Sequence, residues 1–132
     1  MSYVVKIGVT GGKYSVVGYK GKQVRDNIHS YDVVRAIEEF AAAPRPGEVY
    51  NLGGGRGNSI SMIEAIAKIE ALTGRKIDWH YVDQARKGDH ICYISNLAKL
   101  KQHYPKWGIT RGIGATLEEM TASAQRAAAG AG

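Results

Sequence analysis

The sequence predicts a mixed α/β fold with few, short strands and about four helices. Two observations carry this. Apolar residues recur at helical spacing in four segments, and the pieces between them read as strands of only a few residues. "EVYNLGGG" also runs from a strand pattern through glycines into a helix, the connection typical of a parallel sheet. The 132 residues fit a single domain, 1–132. A self-contained open sheet normally has more strands than this chain supplies.

Taken in order, residues 3–9 ("YVVKIGV") are apolar and fit either a strand or the end of a helix. "KYSVVGYKG" reads as a short strand over 14–17 that closes on glycine turns. A helix follows Ser30, whose hydroxyl is the expected cap, with Asp32 in the first turn facing the positive end of the helix dipole. Val33, Val34, Ile37, Phe40 and Ala41 share one face and predict its buried side. The prolines of "PRPG", residues 44–47, end it. "EVYNL", residues 48–52, is the next expected strand.

"NSISMIEAIAKIEALTG" is the strongest helical segment: Ser61 and Glu64 form a capping box, and Gly74 is the natural terminator. Its wide apolar face (Ile60, Ile63, Ile66, Ala67 and Leu72, with Met62 and Ile69) predicts packing on a sheet. "KIDWHYV" alternates Ile77, Trp79 and Tyr81 against Asp78 and His80, a strand pattern, and "HICYI" predicts another strand with Cys92 buried. "NLAKLKQHY" predicts a helix capped by Ser95 and stopped by Pro105. "IGATLEEMTASAQ" predicts a last one with Ile113, Leu117, Met120 and Ala124 on a single face. Residues 125–132 are expected to fray.

A net charge of +6 and a pI near 9.5 favour an anionic partner: nucleic acid, a phosphorylated metabolite or an acidic protein surface. One cysteine excludes an internal disulfide framework and fits a reducing cytoplasm. The first residues lack the pattern of a secretory leader, and no apolar run reaches membrane-spanning length. The four histidines show no metal-ligand spacing, and His29 is expected near the helix cap. "GVTGG" leads into a strand pattern rather than the helix a dinucleotide fingerprint requires. "GGGRGNS", residues 53–59, lacks the third glycine of that fingerprint and the Gly-Lys-Ser/Thr of a phosphate loop.

The arginines form a better constellation. Arg25 and Arg86 each lie in a loop beside an aspartate, in "RD" and "RKGD". Two planar guanidinium forks suit a pyrophosphate, and the aspartates either accept from a sugar hydroxyl or base edge or hold their arginines in place. Taken singly, each arginine also fits an ordinary surface charge.

"QVRDNIHSYDVVRAIEEF", "GEVYNLGGGRGNSISMIEAI" and "ARKGDHICYIS" follow one another as in NAD-dependent nucleotide-sugar epimerases and dehydratases of the extended short-chain dehydrogenase/reductase family, which the chain resembles from about residue 3 to 120. Within the family the likeness is greatest to the CDP-paratose 2-epimerase (CDP-tyvelose epimerase) group. The resemblance implies that Arg25 and Arg86 contact the diphosphate of a nucleotide sugar and that Asp89 approaches the nucleoside.

The departures are equally informative. The family binds NAD through an N-terminal glycine fingerprint and works through a Tyr-x-x-x-Lys pair; here none of the eight tyrosines has lysine four positions on, and the fingerprint is absent. The resemblance therefore implies the C-terminal, substrate-binding portion of such an enzyme without its Rossmann cofactor half. Such a portion carries no catalytic residues, binds no cofactor alone, and is catalytically incompetent alone. It should expose apolar surface on helix 59–73 and its strand, to be covered by a separate cofactor domain or by self-association. A basic nucleic-acid-binding module is the alternative. The pI near 9.5 and the Lys20, Lys22, Arg25 cluster favour it; the aromatics, placed in strands and helices rather than in an exposed stacking array, and the lack of a uniformly basic helix argue against it.

Overall fold

The ambiguity at the start of the chain resolves as a helix. A computed structural model describes residues 1–84 and 87–130, and in it α1 (Ser2–Thr10) buries Val4, Val5 and Gly8. That i, i+1, i+4 spacing is one face of a helix, whereas a strand burying Val4 and Gly8 would have buried Lys6 between them and exposed Val5. Gly8 sets the closeness of packing, because a methyl group there would lie 2.5 Å from Ile69 Cγ2.

β1 (Lys13–Val17) follows, then β2 (Val24–Asp26), α2 (Ser30–Ala42), β3 (Ser59–Ser61), α3 (Met62–Thr73), β4 (Asp78–Val82), β5 (Cys92–Tyr93), α4 (Ala98–His103) and α5 (Ile113–Ala129). β1 pairs in parallel with β4, Lys13 opposite Asp78 through Val17 opposite Val82. A second, three-stranded sheet runs β3-β2-β5, antiparallel on the first side and parallel on the second. No described helix is long and apolar enough to cross a membrane.

α3 matches its sequence signals. The Ser61 amide and hydroxyl donate to Glu64 Oε2 at 2.8 and 2.6 Å, the Glu64 amide returns a bond to Ser61 Oγ, and Gly74 closes the helix in the left-handed region. The hydrogen bonds from Ser61 hold the Glu64 carboxyl below its ordinary range. Replacing Ser61 by Ala is expected to cost about 1 kcal/mol in urea-unfolding free energy, the usual value of an N-cap. The partners of α3 differ from expectation. It packs against α1 and α5, which also pack on each other, rather than on a broad sheet, with Ala65, Ile66 and Ile69 inward and Ala67 and Leu72 exposed, because α5 turns its Leu117 stripe toward it. This main core also contains Val4, Val5, Val16, Ile60 and Ile77.

A smaller cluster joins Ala36 of α2 to Leu97, Leu100, Tyr104 and Trp107. Here α2 is rotated from the expected orientation: Asp32 and Ala36 face inward, while Val34, Ile37 and Phe40 face out. The Asp32 hydrogen bonds and the bond from Trp107 Nε1 to the Asp32 carbonyl (2.9 Å) turn that side in.

Other local expectations are corrected. His29, not Ser30, caps α2, its Nδ1 accepting from the Tyr31 amide. Asn96, not Ser95, supplies the side-chain bond at the start of α4, through Oδ1 to the Ala98 amide, because the Ser95 backbone is committed to Asp26. Residues 48–52 join no sheet among the described residues. Cys92 is exposed, since β5 is a two-residue sheet edge, and Trp79 and Tyr81 remain partly exposed because a two-stranded sheet covers neither face fully. α5 continues to Ala129, into the 125–132 segment expected to fray.

Candidate functional site

Successive strand residues point to opposite faces, and β2 uses this to separate the roles of Arg25 and Asp26. Arg25 reaches Asp89, with its terminal nitrogen 2.7 Å from Oδ1. It also donates to its neighbour's carbonyl at Val24 (3.0 Å) and makes a long contact with Gln23 Oε1. Three of the five guanidinium donors are thereby occupied, and the side chain is about one-third exposed (34%), which leaves two donors free of these partners.

Gln23 completes the arrangement by donating to Asp89 Oδ2 at 2.9 Å, and the Tyr19 hydroxyl donates to the Asp89 carbonyl at 3.3 Å. The hydrogen bond from Gln23, followed by the charge and hydrogen bond of Arg25, holds the Asp89 carboxyl below the ordinary aspartate range. Asp89 is thus an ionised acceptor that keeps a forked cation in place. The turn carrying Tyr19 is itself unusual. Gly18, Tyr19, Lys20 and Gly21 all have positive φ, and the Lys20 amide is fixed by donating to the Tyr81 hydroxyl at 3.2 Å. Left-handed non-glycine residues cost free energy and persist where surrounding contacts enforce them.

Asp26 acts on the other face. Its Oδ2 accepts from the backbone amides of Gly55 (2.9 Å) and Ser95 (3.1 Å), joining β2 to the glycine loop and to the entry of α4. Burial pushes its carboxyl pKa up, and the backbone bonds from Gly55 and Ser95 more than offset this, leaving it lowered. Asp26 neither binds Arg25 nor faces the cleft lining. Asn27 and Asn58 extend the same frame, with reciprocal bonds of 2.9 and 3.0 Å between the two residues and a further bond from the Asn58 amide group to the Arg111 carbonyl. The close approach of these backbones explains Gly53 and Gly54. Loop 53–59 is a tightly packed junction rather than a loose connector.

Gln23 and Asp89 line a cleft beside β1 with Tyr14, Ser15, Val17 and Met62. Its volume is about 160 Å³, below the ~300 Å³ at which small-molecule pockets usually begin. The cleft suits part of a ligand, not a whole nucleotide sugar. The glycine turn at Gly11–Gly12 connects α1 to β1, helix before strand. A dinucleotide fingerprint needs the reverse order, so these glycines do not fit a cofactor pyrophosphate. No cluster of three or more metal-ligating side chains occurs among the described residues.

Of the residues singled out from sequence, the fold brings Arg25 and Asp89 together across 64 positions of chain; Arg86 lies outside the described residues. Gln23 was missed. The available signal was its spacing of two from Arg25, which puts both on the same side of an extended stretch.

No family model matches the chain. Its sequence is 29% identical over 109 residues to dTDP-glucose 4,6-dehydratase of Escherichia coli, covering 75% of this chain and 30% of that enzyme. Among solved structures, dTDP-glucose 4,6-dehydratase of Bacillus anthracis in complex with NAD matches with a TM-score of 0.80 and 29% identity, over 94% of this chain and 38% of the other. UDP-glucuronic acid 4-epimerase of Bacillus cereus, in complex with UDP-glucuronic acid and NAD, matches with a TM-score of 0.83 at 18% identity, over 96% and 40% respectively. The chain therefore has the fold of the C-terminal portion of NAD-dependent sugar epimerases and dehydratases, the extended short-chain dehydrogenase/reductase class. It spans about two-fifths of the solved structures it matches.

Proposed function

We propose that this chain is the nucleotide-sugar-binding portion of an NAD-dependent sugar epimerase, working in the cytoplasm, selective for CDP-sugars, and unable to turn over substrate by itself. The observation that carries this reading is the Arg25–Asp89–Gln23 constellation beside a cleft, in a fold shared with enzymes solved with UDP-sugars and NAD. Arg25 binds the diphosphate with its unspent donors, and Arg86 is assigned the second diphosphate contact. Asp89 fixes Arg25 and lies toward the nucleoside. The small cleft and the missing Tyr-x-x-x-Lys pair support incompetence in isolation: the sugar ring, the proton acceptor and the hydride acceptor all need surfaces that a separate cofactor half or an oligomer supplies. The preference for cytidine rests on the resemblance of "GYKGKQVRDNIHS" and "GDHICYIS" to the CDP-paratose epimerase group.

Amide NMR with CDP-glucose, UDP-glucose and dTDP-glucose tests this. Amides of Arg25 and Asp89 are expected to shift, most with CDP-glucose, and Arg25→Ala should weaken binding by about 10- to 100-fold, the value of one charge-assisted phosphate contact. Unchanged affinity in Arg25→Ala, or no shifts with any of the three, overturns the assignment. No turnover is expected with NAD and CDP-paratose.

A further inference from the structure

β4 is the outer strand of its sheet. Among the described residues it pairs only with β1, Val17 opposite Val82, and the Gly18 amide donates to the Val82 carbonyl at 2.8 Å. Bonded residues alternate along a parallel ladder, so His80 and Val82 turn their backbone groups toward β1. Trp79 and Tyr81 turn theirs the other way, and among the described residues their amides meet no acceptor. Their side chains share a sheet face with their ladder partners Tyr14 and Val16 and stand 39% and 38% exposed. The Tyr81 hydroxyl accepts from the Lys20 amide at 3.2 Å and donates to Asp83 Oδ1 at 2.8 Å, so its ring is already ordered. On helix 59–73, where the sequence placed exposed apolar surface, Leu72 alone of the large hydrophobic side chains is open.

Natural sheets blunt such edges with lysine, proline or a bulge. Residues 78–82 contain neither lysine nor proline, and their register runs unbroken from Asp78 to Val82. The strand is instead self-complementary. A two-fold axis normal to the sheet at His80 sets two β4 strands antiparallel, with Trp79 of each opposite Tyr81 of the other. These residues then form hydrogen-bonded pairs that exchange both backbone bonds, on either side of a non-bonded pair at His80. Every outward donor of the strand meets an outward acceptor. The aromatic rings of both copies stay on one face, as cross-strand pairs. Charge agrees: Asp78, the carboxylate of the strand, meets Val82 of the other copy directly and His80 diagonally, so no carboxylate opposes another. Neighbouring registers are worse. An axis at Trp79 calls on the Ile77 amide, which already donates to Glu70 Oε1 at 2.9 Å, and an axis at Tyr81 sets Asp83, beyond the strand, against Trp79.

We propose that two copies of this chain associate edge to edge through Asp78–Val82, forming a single sheet of order β1-β4-β4-β1. The pairing uses none of Gln23, Arg25 and Asp89 and stands apart from the nucleotide-sugar reading.

Analytical ultracentrifugation of the full chain from micromolar to millimolar concentration, with amide exchange at both ends of that range, tests this. A dimer is expected, and as it forms exchange at the Trp79 and Tyr81 amides should slow by roughly tenfold or more. His80→Lys, at an exposed position, sets two ammonium groups on the axis. It should weaken the dimer by roughly tenfold or more, because like charges directly opposed destabilise a strand pair, while its amide spectrum shows the fold intact. His80→Gln should leave the dimer as strong as wild type. A chain that stays monomeric at millimolar concentration overturns the proposal. So does a dimer in which Trp79 and Tyr81 still exchange freely, or one that His80→Lys does not weaken.

Discussion

Replacing Asp32 by Ala is expected to cost roughly 3–5 kcal/mol of unfolding free energy, a large fraction of the ~5–15 kcal/mol that holds a domain of this size together. The Asp32 side chain is fully buried and works as a four-way acceptor. Oδ2 takes the backbone amides of Thr110 and Arg111, each at 3.0 Å, and Oδ1 takes the Thr110 hydroxyl at 2.6 Å, with Arg35 at the margin of contact at 3.5 Å. An alanine leaves two amides of loop 108–112 without their acceptor, and each unsatisfied buried donor costs about 1–3 kcal/mol.

Asp32→Asn separates charge from geometry. An amide retains one acceptor oxygen for the two backbone donors, so its cost should be smaller, about 1–2 kcal/mol. Burial raises the Asp32 pKa, and the Thr110 and Arg111 bonds outweigh it, leaving the folded value lowered. A lowered carboxylate contributes stability above its unfolded pKa near 4 and loses it as pH falls through the folded value. The gap between wild type and Asp32→Asn should therefore narrow as urea melts are moved from pH 7 down through pH 4 toward pH 2. A constant gap would refute the assignment of the carboxylate charge. Disruption is expected to spread, because Arg111 accepts from Asn58, which in turn brackets β2 at Asn27.

What was legible in the sequence was local. α3 was read to within a residue because Ser61, Glu64 and Gly74 lie inside or beside the helix they bound, and the start and inward stripe of α5 were read from its own spacing, though it runs four residues past the expected end. α2 was placed correctly but rotated wrongly. Its apolar stripe suggested an inward face, whereas its orientation is fixed by Asp32 bonds to residues 75–79 positions away, which no local pattern encodes. Residues 48–52 read as a strand because their sequence is suited to one; strand pairing, however, needs a neighbour, and none of the described residues pairs with them. The candidate site shows the same division. Arg25 and Asp89 were nominated by their arginine-aspartate loops and given roles by resemblance, and only the fold shows that they meet; Asp26 was assigned to ligand or arginine, and instead clamps two backbones 29 and 69 residues away.

That clamp makes Gly54 the most sensitive small residue near the site. A methyl group added at Gly54 would press into the carbonyl oxygen of Asn27 and come within 2.7 Å of Asn27 C and Asn58 Cβ. The obstruction is main chain, which no side-chain rotation relieves, so one of two backbones must shift. Either movement breaks the Asn27–Asn58 pair or strains the Gly55 and Ser95 bonds to Asp26. Gly54→Ala is expected to destabilise the protein by about 3 kcal/mol, the upper range of overpacking by one methyl group. It should also weaken nucleotide-sugar binding tenfold or more while leaving every charged residue in place, because Arg25 lies two residues from the displaced carbonyl. Gly57→Ala is the internal control. Nothing lies within 4 Å of its added carbon, and its φ is not in the left-handed region, so it should be neutral or stabilise by up to about 0.5 kcal/mol. Urea melts of the two variants, with CDP-glucose titrations of whatever remains folded, check both. Equal behaviour would mean that loop 53–59 is a slack connector after all, and that Arg25 is positioned by Asp89 and Gln23 without support from the frame behind it.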